Sequence, residues 1–132
     1  MSNGAIISFR NDRLGARLIS LVNALRIGRK FDLPVKVHWV VTPGVGSEFN
    51  DPTELFSEDF VEQYFIGKPE FRARRDACER LERFTADPER LVSHVQGGGD
   101  AMSAMAFGIL CFDDEDPAEV ARECGEVFQS LP

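Results

Sequence analysis

The sequence predicts an α/β fold: a Rossmann-like three-layer domain with a small, mainly parallel sheet. Three observations lead there. An apolar run, AIISF (5–9), precedes a long segment of helical periodicity, and a second apolar run, VKVHWVV (35–41), follows it. The connections are short, and a strand–helix–strand unit of this kind gives a parallel pair with a right-handed crossover. Near the far end, AFGILCF (106–112) offers a further strand just before another helical segment.

Taken in order, AIISF is apolar, β-branched and ended by polar residues, as a short buried strand should be. Asn11 or Asp12 can cap the following helix. Between residues 13 and 31, Leu14, Leu18, Leu21, Val22 and Leu25 recur at helical spacing, with Arg17, Arg26, Arg29 and Lys30 on other faces. Leu33-Pro34 stops this helix, and the alternating run to residue 41 completes a βαβ unit over 5–41. Pro43, Gly44 and Gly46 make 42–51 a loop. Asp51-Pro52, Asp87-Pro88 and Asp116-Pro117 each set a carboxylate before a proline, the pattern of an N-cap followed by the first helical residue. Glu54 and Glu119 stand three residues after their aspartates, as in a capping box. Helical turns are therefore expected near 52, 88 and 117. The region 52–95 reads as helical, including 58–66 and a charged helix over 70–84, and QGGGD (96–100) as a flexible turn. A closing helix over 117–131 aligns Val120, Cys124, Val127, Phe128 and Leu131 on one face.

The chain has 132 residues, the size of one domain, and 43% hydrophobic against 28% charged residues is a globular composition. A domain of this length buries roughly 65–70% of its unfolded surface. The formal charge of −7 is unevenly spread: residues 1–38 carry seven Lys/Arg against two acids, and the remainder is strongly acidic. Overall acidity argues against nucleic-acid or anionic-membrane binding. No apolar segment reaches the roughly 18–20 residues of a membrane span. Three widely spaced cysteines, Cys78, Cys111 and Cys124, fit a reducing cytoplasm better than a disulfide scaffold. With no CxxC and two distant histidines, His38 and His94, no metal site is expected.

Against this acidity, RNDRLGARL (10–18) gathers three arginines around Gly15 at the turn from strand to helix. In open α/β sheets, ligands sit beyond the strand carboxyl ends, where helix N-termini offer free N–H groups and about half a positive charge. Arg13 and Arg17, one turn apart, add guanidinium forks suited to phosphate or carboxylate, and Gly15 allows close approach. The alternative is a solvated basic helix start paired with the acidic remainder. Neither the P-loop nor the dinucleotide fingerprint is present. His38 and Trp39 lie at the end of the second strand, where Trp can stack on a sugar and His can serve as acid or base; a packed Trp and an ordinary strand histidine is the plainer alternative. Glu48 and Asn50 occupy the loop beyond, Glu48 being the one carboxylate there suited to activate an acceptor, while Asp51 reads as a helix cap. DDED (113–116) invites a metal reading, but Asp116 serves as a cap and acids favour a helix start. Arg72, Arg74 and Arg75 alternate with acids as on a solvated helix face.

The run RLGARLISLVNALRIGRKFDLPVKVHW resembles the N-terminal unit of fucosyltransferase-like glycosyltransferases, including bacterial nodulation-type and protein O-fucosyltransferases. In that superfamily a first strand leads to a G-L-G-N or G-R-F-G-N turn, then to a Leu- and Ala-rich helix and a strand ending in Trp. Leu14, Gly15, Leu18, Ala24, Leu25 and Trp39 keep that pattern, and Arg13 resembles the arginine of the second form. SEFNDPTELFSEDF is similar to the segment that follows in bacterial members. Ala16 stands in place of the turn asparagine, and the H-x-R-x-G-D-like run that contacts the donor is missing. The resemblance implies the acceptor-side half of a two-domain, glycosyltransferase-B-like architecture, in which a second domain or subunit holds a nucleotide sugar such as GDP-fucose. It implies no cofactor, a glycan or other hydroxyl acceptor, and inactivity of this half alone. Arg13, Gly15 and Arg17 would shape the cleft, with Trp39 and Glu48 towards the acceptor. The alternative is a non-catalytic α/β module that binds a protein partner or an anionic ligand.

Overall fold

The computed structural model describes residues 4–10, 14–39, 52–76, 78–105 and 108–131. Among them the elements run β1 (Ile6–Arg10), α1 (Leu14–Phe31), β2 (Val35–Trp39), α2 (Glu58–Tyr64), α3 (Lys68–Arg75), β3 (Cys78–Arg80), α4 (Pro88–Gln96), β4 (Asp100–Ser103) and α5 (Pro117–Ser130). Single 3-10 turns span Pro52–Glu54 and Leu81–Phe84. All strand pairs are parallel, in the order β2-β1-β4-β3. This is the expected α/β architecture with a small parallel sheet.

Ala5, Ile6 and Ile7 are buried because β1 is flanked by strands on both sides and covered on both faces. Parallel strands in that position read as continuous apolar runs rather than alternating ones. Helix α1 ends where Asp32 turns left-handed, at φ 54°. The Leu33 N–H then reaches back to the Gly28 carbonyl at 2.9 Å and Leu33 is buried, a closure of the Schellman type. A Cβ at Gly28 would collide with the Val35 side chain, so glycine lets α1 lie close against β2. Helices α4 and α5 begin at Pro88 and Pro117, with the Asp87 and Asp116 carboxylates accepting from Arg90 N–H and Ala118 N–H. Glu119 does not complete a capping box; it pairs with Arg122.

Strand alternation assigns the layers. Ile6, Ser8, Val35, Val37, Trp39, Ala101 and Ser103 share one face, since Ile6 pairs with Val35 and Ala101 and Ser8 with Val37 and Ser103. That face carries the main core, joining Leu21 and Leu25 of α1, Leu91 and Val95 of α4, and Val120 and Val127 of α5. The steps β1→β2 and β3→β4 run in the same direction across the sheet, so right-handed crossovers set α1 and α4 on one side. On the other face, Phe71 of α3 stacks on Phe9 and His38, and Arg74 bonds the Asp100 carboxylate.

Two expectations are corrected. The anticipated strand over 106–112 is not one: residues 108–112 carry no strand, and 106–107 lie outside the described residues. Leu110 and Phe112 are deeply buried, but their N–H groups donate to side chains, to Asn23 Oδ1 and Glu115 Oε1 at 2.9 Å, rather than to a neighbouring strand. The strand lies earlier, at Asp100–Ser103, starting within the stretch read as a turn. Likewise the helix expected over 70–84 stops at Arg75 and gives way to β3 and a 3-10 turn, so 52–95 is not wholly helical. A three-residue edge strand with charged side chains pairs on one side only and carries no apolar alternation.

Candidate functional site

The carboxyl ends of β1, β2 and β4 bring Arg10, Trp39 and Ser103 to one edge, beside the start of α1. The Arg10 guanidinium spans the top of the sheet, Nη1 donating to the Ala104 carbonyl at 2.9 Å. Gly15, in the first turn of α1, is exposed, and an added Cβ would meet nothing within 4 Å. Two residues later the helix turns inward. Arg17 is 2% exposed, with its guanidinium carbon 4.5 Å from the centre of the Trp39 ring. Trp39 is itself buried, edge-on to Phe56 at 5.5 Å and tilted against Phe65 at 6.0 Å. A ligand reaching either residue has to open this aromatic packing.

Of the residues singled out in the sequence, Arg17 and Trp39 are therefore in contact, while Gly15 lies about 200° round the helix from Arg17, on the side of α5. His38 is separated from Trp39 by the pleat: it faces α3, its Nδ1 3.4 Å from the Ile66 carbonyl. Burial lowers its pKa, an effect the Ile66 carbonyl opposes and Lys68 reinforces. Arg13, Glu48, Asn50 and Asp51 lie outside the described residues.

A row of polar side chains on α1, absent from the sequence-based site, sets the backbone at this edge. Ser20 Oγ donates to the Met105 carbonyl at 3.0 Å and Ser103 Oγ to the Ser20 carbonyl at 2.8 Å. Asn23 donates to the Gly108 carbonyl at 3.3 Å and accepts from Leu110 N–H. Arg26 Nη2 donates to the Leu110 carbonyl at 2.6 Å. Residues 20, 23 and 26 recur every third position inside an apolar stripe. Buried polar groups need partners, so that spacing was a signal of a segment lying across the helix.

The acidic run DDED is absorbed by the same device. Glu115, whose side chain is 6% exposed, takes Arg26 at 2.8 Å and Lys30 at 2.5 Å, while Glu123 meets Arg26 at 3.2 Å. Burial alone would raise the Glu115 pKa, but hydrogen bonds from Arg26, Lys30 and the Phe112 amide hold it down at about 2. Asp116 caps α5. Among the described residues no group of three His, Cys, Asp or Glu side chains is arranged to hold a metal ion. Burial raises the Cys78 thiol to about 12, with Asp100 and Glu79 adding to it, and burial also raises Cys124, so neither offers a thiolate nucleophile near neutrality.

Next to Gly15 lies an open apolar hollow of about 470 Å³ between α1, α5 and the 108–109 segment, walled by Leu18, Val22, Gly108, Cys124 and Phe128. Phe128 is 55% exposed and Ile109 37%. No helix among the described residues is long and apolar enough to cross a membrane. Comparison of the chain with protein-family models, with curated proteins and with solved structures finds no match.

Proposed function

We propose that this chain is the acceptor-side α/β half of a bacterial, fucosyltransferase-like glycosyltransferase. It forms one wall of a cleft whose other wall, in a second domain or subunit, holds the nucleotide sugar. The reaction is transfer of the sugar to a hydroxyl acceptor, in the cytoplasm, and this half alone is inactive. The observation that carries the reading is the contact of Arg17 with Trp39 at the carboxyl edge of a parallel βαβ unit. These are residues on which the family resemblance rests or which flank them, and that edge is where open α/β sheets bind ligands. In this scheme Arg13, Gly15 and Arg17 shape the cleft, Trp39 and Asn50 meet the acceptor, and Glu48 activates its hydroxyl. His38, on the other face of the sheet, takes no part.

The test is calorimetric titration with glycans and with GDP-fucose and related nucleotide sugars, on the chain alone and after fusion to the nucleotide-sugar-binding half of a bacterial fucosyltransferase. Acceptor binding alone and sugar transfer after fusion are the expected results. Absence of heat and of turnover in every combination rejects the proposal. A second reading, a non-catalytic module that binds a protein partner, is favoured by the apolar hollow around exposed Phe128. Under it, Phe128→Ser abolishes partner capture and no sugar ligand binds.

A further inference from the structure

Among the described residues, the second face of the sheet is held by one short element. Helix α3 has eight residues and a single buried side chain, Phe71, which is 3% exposed. That ring lies flat on His38, with centroids 4.3 Å apart and planes 12° from parallel, and on Phe9 at 4.6 Å and 29°. Phe9 and His38 are partners in the β1–β2 register and stack on each other at 5.8 Å. The chain entering α3 is tied to the same place, since the Ile66 N–H donates to the Val37 carbonyl at 2.8 Å and His38 Nδ1 faces the Ile66 carbonyl. A carbonyl only accepts, so this contact uses the Nδ1–H of the ring.

Among the described residues, the charges around this stack are mostly of one sign. From α3 come Lys68, Arg72, Arg74 and Arg75 against one acid, Glu70, which is already paired with Arg74. Arg74 is also engaged by Asp100. Strand β2 adds Lys36 on the same face, two residues before His38. Strand β1 contributes the uncharged Ile7 and Phe9 there, and β4 contributes Met102 together with Asp100, the carboxylate that Arg74 takes.

We propose that the Phe9–His38–Phe71 stack is a proton-operated latch: protonation of His38 loosens α3 from the sheet and uncovers Ile7 and Phe9. An imidazolium in this position loses hydration and faces Lys68, and among the described residues the acids nearby, Glu70 and Asp100, are already taken by Arg74. Stacking of the charged ring on phenylalanine offers a modest cation–π attraction in return. The lowered His38 titration agrees with desolvation and Lys68 outweighing that gain. The sign follows from linkage. Because the folded histidine titrates below its free value near 6.5, docking of α3 is strongest above that pH and weakens as pH falls through the folded midpoint.

The experiment uses the whole chain, which has two histidines. Ring resonances of His38 and His94 are followed by NMR between about pH 8 and pH 4.5, with assignment by His94→Gln. Amide hydrogen exchange is measured in α3 and in α1 at both ends of that range. The expected result is a His38 midpoint below the free value and selective loss of protection in α3. That loss is about tenfold for each pH unit between the free and folded midpoints. His38→Phe keeps three stacked rings and removes the pH dependence of α3 protection. A His38 midpoint at or above the free value, or α3 protection that tracks α1 across the range, overturns the proposal without recourse to any variant. Persistence of the pH response in His38→Phe does the same.

Discussion

Replacing Glu115 by alanine strips the buried counter-charge from a guanidinium that is 2% exposed and braced on a backbone carbonyl, leaving it only the solvent-exposed Glu123. Removing one partner of a buried ion pair is worth about 3–5 kcal/mol, because the remaining charge stays desolvated. The titration of Glu115 supplies an independent figure. Its carboxyl moves from an ordinary value of 4.5 to about 2 on folding. At about 1.4 kcal/mol per pH unit, that corresponds to roughly 3 kcal/mol of stability at neutral pH. The folded carboxyl titrates lower than the free one, so this contribution is complete above about pH 5 and drains away as pH falls towards 2. Urea denaturation followed through Trp39, the sole tryptophan, measures both quantities. Glu115→Ala should lose about 3–5 kcal/mol at pH 7, and the gap to the unmodified protein should close on acidification. The double variant Arg26→Met/Glu115→Leu should recover most of the loss, since no lone charge is left buried. A loss below about 1 kcal/mol at pH 7, or a gap that stays constant down to pH 2.5, would refute the reasoning.

Two further predictions follow from single contacts. Arg17→Met keeps the aliphatic bulk but removes the charge above Trp39; it should cost about 0.5–2 kcal/mol and shift the tryptophan emission, and an unchanged spectrum would contradict the stack. Gly28→Ala forces a methyl group into Val35 and should lose about 1–3 kcal/mol in urea melts, whereas a neutral result would mean that α1 and β2 are less closely apposed.

The βαβ unit was legible because its signals are local: an apolar run, helical spacing of leucines, a stop at Leu33-Pro34 and a second apolar run. Asp87-Pro88 and Asp116-Pro117 worked for the same reason, since a cap and its helix are neighbours in sequence. What escaped depends on residues far apart. AFGILCF has a strand's composition, yet Asn23 on α1 takes its amide at Leu110, and nothing within the run announces that partner. DAMS has no strand signature of its own; it is a strand because β1 and β3 leave one place between them. Arg26 reads as a solvent-facing arginine until Glu115, 89 residues later, is laid across it. At the proposed site, the composition of the basic turn was visible in the sequence, but not that Arg17 points inward to Trp39 while His38 looks the other way.

The placement of β4 bears on how the protein is made. The inner strand β1 leaves the ribosome before its sheet neighbours and finds β2 within some thirty residues, but its other edge is met only by residues 101–103. Until that late segment appears, a growing chain carries an apolar ribbon with one row of backbone groups unsatisfied. Translation that stalls before about residue 100 thus leaves a ready template for intermolecular pairing.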